Sequence, residues 1–328
     1  MLNNGEIKIL GGSTGAVFAK EMCNYLGIEI GKSEVTKSSN GNIFVRVDET
    51  VRGKDVYIVQ SIGVNPNDEF TEILFWIDAL KRASANSITA IIPYFGYSKG
   101  DKEEEPRVSI RAKVCAGCIE LAGADRIVTM DLHSVHMHGF FKKPLDNFFA
   151  LPVLAEYVNK LELDNLVVVS SGAGFVKQAR KYADYFDTTL TIGYKTQRLY
   201  EKNGVVLEIV GNIKGKNALI VDDFTASGST LVNLANGLKE RGAKNIYACS
   251  SHLLINQSGV EKIENSPIDL LISTNSVNNN NVLLSEKIKI VSVAPLFAEG
   301  ILRMRDRKSI SSLFEKIPQK VFEYSIYK

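Results

Sequence analysis

The chain has 328 residues, a formal net charge of +2, 45% apolar residues and 23% charged residues. This is the make-up of a globular protein about twice the usual single-domain length, so two domains with separate cores are expected, and there is no electrostatic case for a nucleic-acid partner. No run approaches the roughly eighteen apolar residues of a membrane span, and MLNNGEIKIL lacks the basic and apolar regions of a secretion signal, so a cytoplasmic protein with no membrane partner is expected.

Ile7 to Leu10 reads as the first short buried strand, and the apolar run in Gly53-Lys54-Asp55-Val56-Tyr57-Ile58-Val59 as another. Helical spacing over Phe70 to Ser84 and a strand over Ala90 to Tyr94 follow. Tyr94 to Arg107, YFGYSKGDKEEEPR, is an aromatic and charged loop suited to stacking a base and holding polyphosphate through Lys99 and Lys102. The next helix, Ser109 to Ala122, carries Cys115 and Cys118. With no second CxxC or spaced His pair they read as small buried helix residues rather than zinc ligands. Strand Arg126 to Met130 runs into Met130-Asp131-Leu132-His133, where strand alternation predicts Asp131 and His133 on one face. A carboxylate and an imidazole so placed can bind one divalent cation, or a nucleotide phosphate through it. His136 and His138 follow closely.

Two prolines in KKPLDNFFALP place the predicted linker near Lys142 to Pro152, dividing the chain into domains 1–146 and 147–328. Beyond it the alternation resumes with strand Leu166 to Ser170, helix Phe175 to Phe186 and strand Leu190 to Tyr194. Lys195 to Arg198, KTQR, and the polar turn Glu201 to Gly204 predict a basic hairpin able to close over a phosphoryl group. Ala218 to Thr230, ALIVDDFTASGST, joins a buried strand to an amphipathic helix beginning near Leu231. Its loop amides can converge on an anion at the helix N-terminus, while Asp222 and Asp223 accept hydrogen bonds from vicinal hydroxyls or hold Mg²⁺. A capped Asp turn would need only one of those carboxylates. NSVNNNN is a polar loop without chemical signal, and Ile288 to Val293 is the last predicted strand. No GxxxxGK[ST] occurs, so a P-loop holds no nucleotide here.

The halves echo each other. Gly53 to Val59 matches Gly215 to Val221 at an offset of 162, and Ala79 to Arg82 with Ile88 answers Gly237 to Glu240 with Ile246 at an offset of 158. An offset held nearly constant through strand, helix and strand predicts a duplicated α/β domain with mainly parallel sheets. Only the second half has the carboxylates and phosphate-type loop; the first has Gln60-Ser61-Ile62-Gly63 at the matching place.

The run Val51 to Ser61, the run Gly123 to His133 with Gly139-Phe140-Phe141, and Val221-Asp222-Asp223 resemble the ribose-phosphate diphosphokinases almost end to end. The resemblance implies a tandem pair of phosphoribosyltransferase-like, Rossmann-like domains, with transfer of the diphosphoryl group of ATP to the C1 hydroxyl of ribose 5-phosphate and Mg²⁺ as cofactor. Carried over by position, Asp131 and His133 would hold Mg²⁺ on ATP, and Asn40, Asn42, Lys99, Asp101 and His133 would meet the nucleotide. Asp222 and Asp223 would take the ribose hydroxyls, Ala226, Ser227, Gly228, Ser229 and Thr230 the 5-phosphate, and Lys195, Arg198 and His133 the catalytic contacts. The resemblance also implies a dimer-based homo-oligomer, up to a hexamer, with an effector site around Thr50, Arg52, Ser311 and Ser312.

The chain departs from the family pattern in the nucleotide half. Ser38-Ser39-Asn40-Gly41-Asn42 lacks the aromatic and the Glu expected beside adenine, Lys99-Gly100-Asp101 replaces Arg-Gln-Asp, and Gln197 stands in an Arg place. Ser171-Gly172 replaces a Pro-Asp pair, and Ala226 a loop Asp. Three readings follow: a diverged synthetase acting on ribose 5-phosphate, the same chemistry on a larger 5-substituted ribose such as ADP-ribose, or a non-catalytic regulatory partner of a synthetase.

Overall fold

The computed structural model describes residues 6–197, 205–279 and 285–326. Two compact units emerge: Met1–Phe149 with Ser276–Asn278 and Ser292–Lys328, and Ala150–Asn275 with Asn279–Val291.

In the first unit, β1 (Ile7–Gly11) is followed by α1 (Ala16–Leu26) and an antiparallel hairpin of β2 (Ser33–Lys37) and β3 (Ile43–Val47). Then come β4 (Asp55–Val59), α2 (Pro66–Arg82), β5 (Ser87–Ile92), α3 (Arg111–Ala122), β6 (Arg126–Met130) and β7 (Leu145–Phe148). The main sheet has the order β1-β4-β5-β6-β7, with every pair parallel. Its strands are apolar on both faces because helices cover them. Trp76, Ile73, Ile77 and Leu80 of α2 and Ala116 and Ile119 of α3 are fully buried against Ile58, Ala90 and Ile127.

The second unit repeats the plan: α4 (Leu151–Asn159), β8 (Leu166–Ser170), α5 (Val176–Tyr185), an antiparallel pair β9 (Leu190–Gln197) and β10 (Val205–Val210), then β11 (Asn217–Thr225). After it come α6 (Ser229–Glu240), β12 (Ile246–Leu253), α7 (Gln257–Glu264), β13 (Leu270–Thr274) and β14 (Ile288–Val291). Sheet order is β10-β9-β8-β11-β12-β13-β14. The duplication shows in register: Gly11 pairs with Val59 in one sheet as Ser170 pairs with Val221 in the other. Gly12 to Gly15 is thereby the counterpart of Ser171 to Gly174.

Three expectations need correction. The predicted linker is ordered: it contains β7, paired with β6, and the division between units falls after Phe149 rather than inside that strand. Residues 292–326 do not stay with the second half. They return to the first unit, where α8 (Ala294–Arg305) packs on α1, with Phe18 and Phe297 rings 5.3 Å apart, and α9 (Gln319–Ile326) brings Tyr324 5.3 Å from Tyr25. The physical reason is apolar surface: Leu296, Phe297 and Ile301 of α8 are fully buried. Finally, β11 runs beyond the apolar stretch Ala218 to Val221, which reads as the strand in the sequence, through Asp222 and Asp223 to Thr225, and pairs alongside β12 to Leu253. No described helix is long and apolar enough to cross a membrane.

Candidate active site

In the second unit the carboxylates lie on the last turns of β11. Burial first, then the charge of the adjoining Asp223, push the Asp222 carboxyl well above the usual carboxylate range, with the Ser171 hydroxyl pulling the other way. Asp222 Oδ1 also accepts the Asp223 amide at 3.0 Å. Two acids held this way attract hydroxyl donors and cations.

The chain then turns through Gly228, whose φ of +69° lies in the left-handed region, and α6 starts at Ser229. Gly228 offers no side-chain cap, and no acidic residue sits in the first turn of α6. The first amides of a helix have no intrahelical acceptor, so this end can receive an anion. Ser227 Oγ gives only a long contact of 3.4 Å to the Ser229 amide. Ala226, Ser227 and Thr230 are exposed.

Beside this loop lies Ser170 to Gly174. Ser170 Oγ donates to Gly172 O at 2.7 Å, and the Ser171 amide donates to Val221 O at 3.3 Å. A β-carbon on Gly172 or Gly174 would meet nothing within 4 Å. Lys195 sits on β9, opposite Leu207 of β10, in the antiparallel hairpin its sequence predicts. Arg198 and the turn Glu201 to Gly204 lie outside the described residues.

The nucleotide-side candidates all fall in the first unit. Asp131 and His133 follow β6, but the alternation argument for them fails: the strand ends at Met130 and Asp131 turns left-handed, with φ +41°. Pairing with the next segment enforces the turn, since the Asp131 amide donates to Phe148 O at 2.9 Å and the Leu132 amide to Asn147 Oδ1 at 3.1 Å. A non-glycine residue held at positive φ marks a position fixed by its surroundings. His133, His136 and His138 are exposed, the last two on a short 3-10 turn over Val135–Phe140. Among the described residues no three His, Cys, Asp or Glu side chains form a metal-binding group.

Asn40 and Asn42 occupy the exposed tip of the β2–β3 hairpin, where Asn40 Oδ1 accepts from the Ser38 hydroxyl at 2.5 Å and the Asn42 amide at 3.3 Å. Lys99 is exposed and Asp101 half-buried on the loop after β5. Of the effector candidates, Thr50, Arg52, Ser311 and Ser312 are exposed, and Ser312 Oγ accepts from Arg303 at 2.5 Å.

Residues 7–123 match the family model described as the N-terminal domain of ribose phosphate pyrophosphokinase, and residues 187–315 match the phosphoribosyl synthetase-associated domain. A ribose-phosphate pyrophosphokinase of Clostridium tetani is 41% identical, over 94% of this chain and 98% of its own length. The chain belongs to the ribose-phosphate pyrophosphokinase family. A Bacillus subtilis ribose-phosphate pyrophosphokinase is 39% identical over 94% of this chain and 97% of its own. The crystal structure of phosphoribosylpyrophosphate synthetase from Mycobacterium smegmatis matches with a TM-score of 0.86 at 32% identity, covering 92% of this chain and 99% of that one.

Against the ribose-phosphate pyrophosphokinase pattern, two residues with no motif of their own become visible only in the fold. Arg111 lies over Gly100: a β-carbon there would be 2.8 Å from Arg111 Nε. The glycine in Lys99-Gly100-Asp101 is thus coupled to a cation at the start of α3. Lys262, on α7, reaches the start of α6. Neither position lies near its partner in sequence, so spacing carried no signal.

Proposed function

We propose that the protein transfers the diphosphoryl group of ATP to the C1 hydroxyl of ribose 5-phosphate, giving phosphoribosyl diphosphate and AMP. Family membership supports this, and the observation that carries it is β11 bearing two adjacent carboxylates near its C-terminal end and leading to a helix N-terminus whose Gly228 provides no side-chain cap. In this reading Asp222 and Asp223 accept the ribose hydroxyls, and Ala226, Ser227, Gly228, Ser229 and Thr230 surround the 5-phosphate. The C1 oxygen bonds to the β-phosphorus while the bond from that phosphorus to the oxygen bridging the α-phosphorus breaks; AMP leaves and the hydroxyl proton passes to water. Lys195, Arg198 and His133 stabilise the charge on the group in transfer, so catalysis rests on positioning and electrostatics.

Asn40, Asn42, Lys99 and Asp101 meet the nucleotide, and Asp131 and His133 hold Mg²⁺ on its phosphates. Such an ion takes one or two protein ligands together with substrate phosphates, which suits a site with fewer than three ligating side chains. When bound it neutralises polyphosphate charge. The enzyme works in the cytoplasm as a dimer-based homo-oligomer, with Thr50, Arg52, Ser311 and Ser312 at an effector site. A strictly monomeric species by light scattering contradicts that assembly.

Incubation with ATP, Mg²⁺ and ribose 5-phosphate should release AMP and phosphoribosyl diphosphate together; absence of both rejects the reading. A second reading, a larger 5-substituted ribose such as ADP-ribose, is favoured by the open space at Gly172 and the exposure of Ala226. ADP-ribose that neither reacts nor competes at millimolar concentration eliminates it.

A further inference from the structure

We infer that Lys262 tunes binding of the sugar 5-phosphate, acting both as a cation at the rim of the α6 N-terminus and through the Ser229 hydroxyl. The inference rests on the proposed role of Ala226 to Thr230.

It begins with close packing. A β-carbon on Gly259 of α7 would lie 3.2 Å from Ser227 O, and one on Gly228 3.4 Å from Gly259 O. The two glycines let the α7 backbone approach the phosphate-type loop more closely than larger residues allow. Asn256 fixes the start of α7, its Oδ1 accepting the Gly259 amide at 2.9 Å. One helical turn beyond Gly259 is Lys262, and its Nζ donates to Ser229 Oγ at 3.0 Å.

This bond directs the chemistry of the hydroxyl. An ammonium group donates only, so Ser229 Oγ uses a lone pair to accept it and keeps its own proton for another acceptor. Ser229 is also the first residue of α6, whose N-cap Gly228 provides no side-chain cap, the Ser229 amide making only the long contact to Ser227 Oγ. Ammonium, hydroxyl and amides are all donors at one helix end, the set a phosphate dianion requires. No carboxylate forms an ion pair with Lys262 among the described residues, so its charge remains available to the ligand. Nearby, at the last residue of β11, the Thr225 hydroxyl is buried without a hydrogen-bond partner.

The test compares Lys262→Gln, Lys262→Arg and Ser229→Ala by steady-state kinetics, with calorimetric binding of ribose 5-phosphate alone as a second readout. Losing an exposed charge-assisted contact should raise KM and Kd for ribose 5-phosphate about five- to tenfold in Lys262→Gln, with kcat and the KM for ATP within about twofold. Lys262→Arg should recover most of the loss, and Lys262→Gln should add little in a Ser229→Ala background. If Ser229→Ala weakens ribose 5-phosphate binding while Lys262→Gln does not, the inference fails and the loop assignment stands. If neither variant changes it, the loop assignment fails as well.

Discussion

The two halves share a fold but treat their strand-end loops in opposite ways. In the first, Glu72 is 3% exposed and accepts the Ser13 amide at 2.8 Å, the Ser13 hydroxyl at 2.5 Å and Trp76 Nε1 at 3.0 Å. Gln60 Oε1 takes the Thr14 amide and hydroxyl at 3.1 and 3.0 Å. Glu69 accepts the amides of Gly63 and Asn65, burial raising its proton affinity while those two amides oppose the shift. The loops that correspond to Ser171–Gly174 and Asp223–Ser229 are therefore closed by the unit's own side chains. In the second half the matching groups are open glycines and an uncapped helix end. One copy satisfies these polar groups internally, and the other, where the ribose 5-phosphate site is proposed, leaves them open.

The contrast predicts most sharply at Asp223. Asp223→Ala should lower turnover by about a thousandfold or more, since in the proposed function this group orients the acceptor, and should leave the melting temperature within a few degrees. Near-normal turnover with lost stability would make the double acid a structural device, like those of the first half.

Glu72→Ala should have the reverse profile, a stability loss of about 3 kcal/mol from stranded buried donors, read by denaturant unfolding. Added formate, a carboxylate of the right size, should restore part of it. No recovery would mean that the Ser13 amide and hydroxyl do not bind a free carboxylate in place of Glu72.

Asp222→Asn should inactivate the enzyme yet raise its melting temperature by a few degrees near pH 8. The folded state holds the Asp222 proton more tightly than the unfolded chain does, so the acid favours folding below its unfolded pKa. That benefit is lost as pH rises through its folded pKa. The advantage of Asn should accordingly shrink towards about pH 4, and a pH-independent difference would contradict the raised proton affinity.

The smallest effect concerns the first half's Lys99–Asp101 loop. Gly100→Gln should cost about 1 kcal/mol by crowding Arg111, with Arg111→Ala returning it in the double variant. Simple additivity would separate the two residues.

What could be read from the sequence was local. The repeat, the strand–loop–helix signal around Asp222 and the basic hairpin at Lys195 each occupy contiguous segments whose residue types suffice to define them. Glu72 could not be assigned to Ser13 because 59 residues separate them and a helical Glu looks solvated. β7 was hidden because four residues, Leu145–Phe148, between prolines look like a break, whereas parallel pairing to β6 decides their conformation. The turn at Asp131 was missed for the same reason: its cause is the carbonyl of Phe148.

The return of residues 292–326 to the first unit also bears on how the chain is made. On a ribosome α1 emerges early, but α8, which covers Phe18, is synthesised only after the whole second unit. At about 5–20 residues per second, residues 150–291 take roughly seven to thirty seconds to appear. For that interval the first unit waits with an apolar face uncovered, so vectorial synthesis favours the second unit folding before the first is complete.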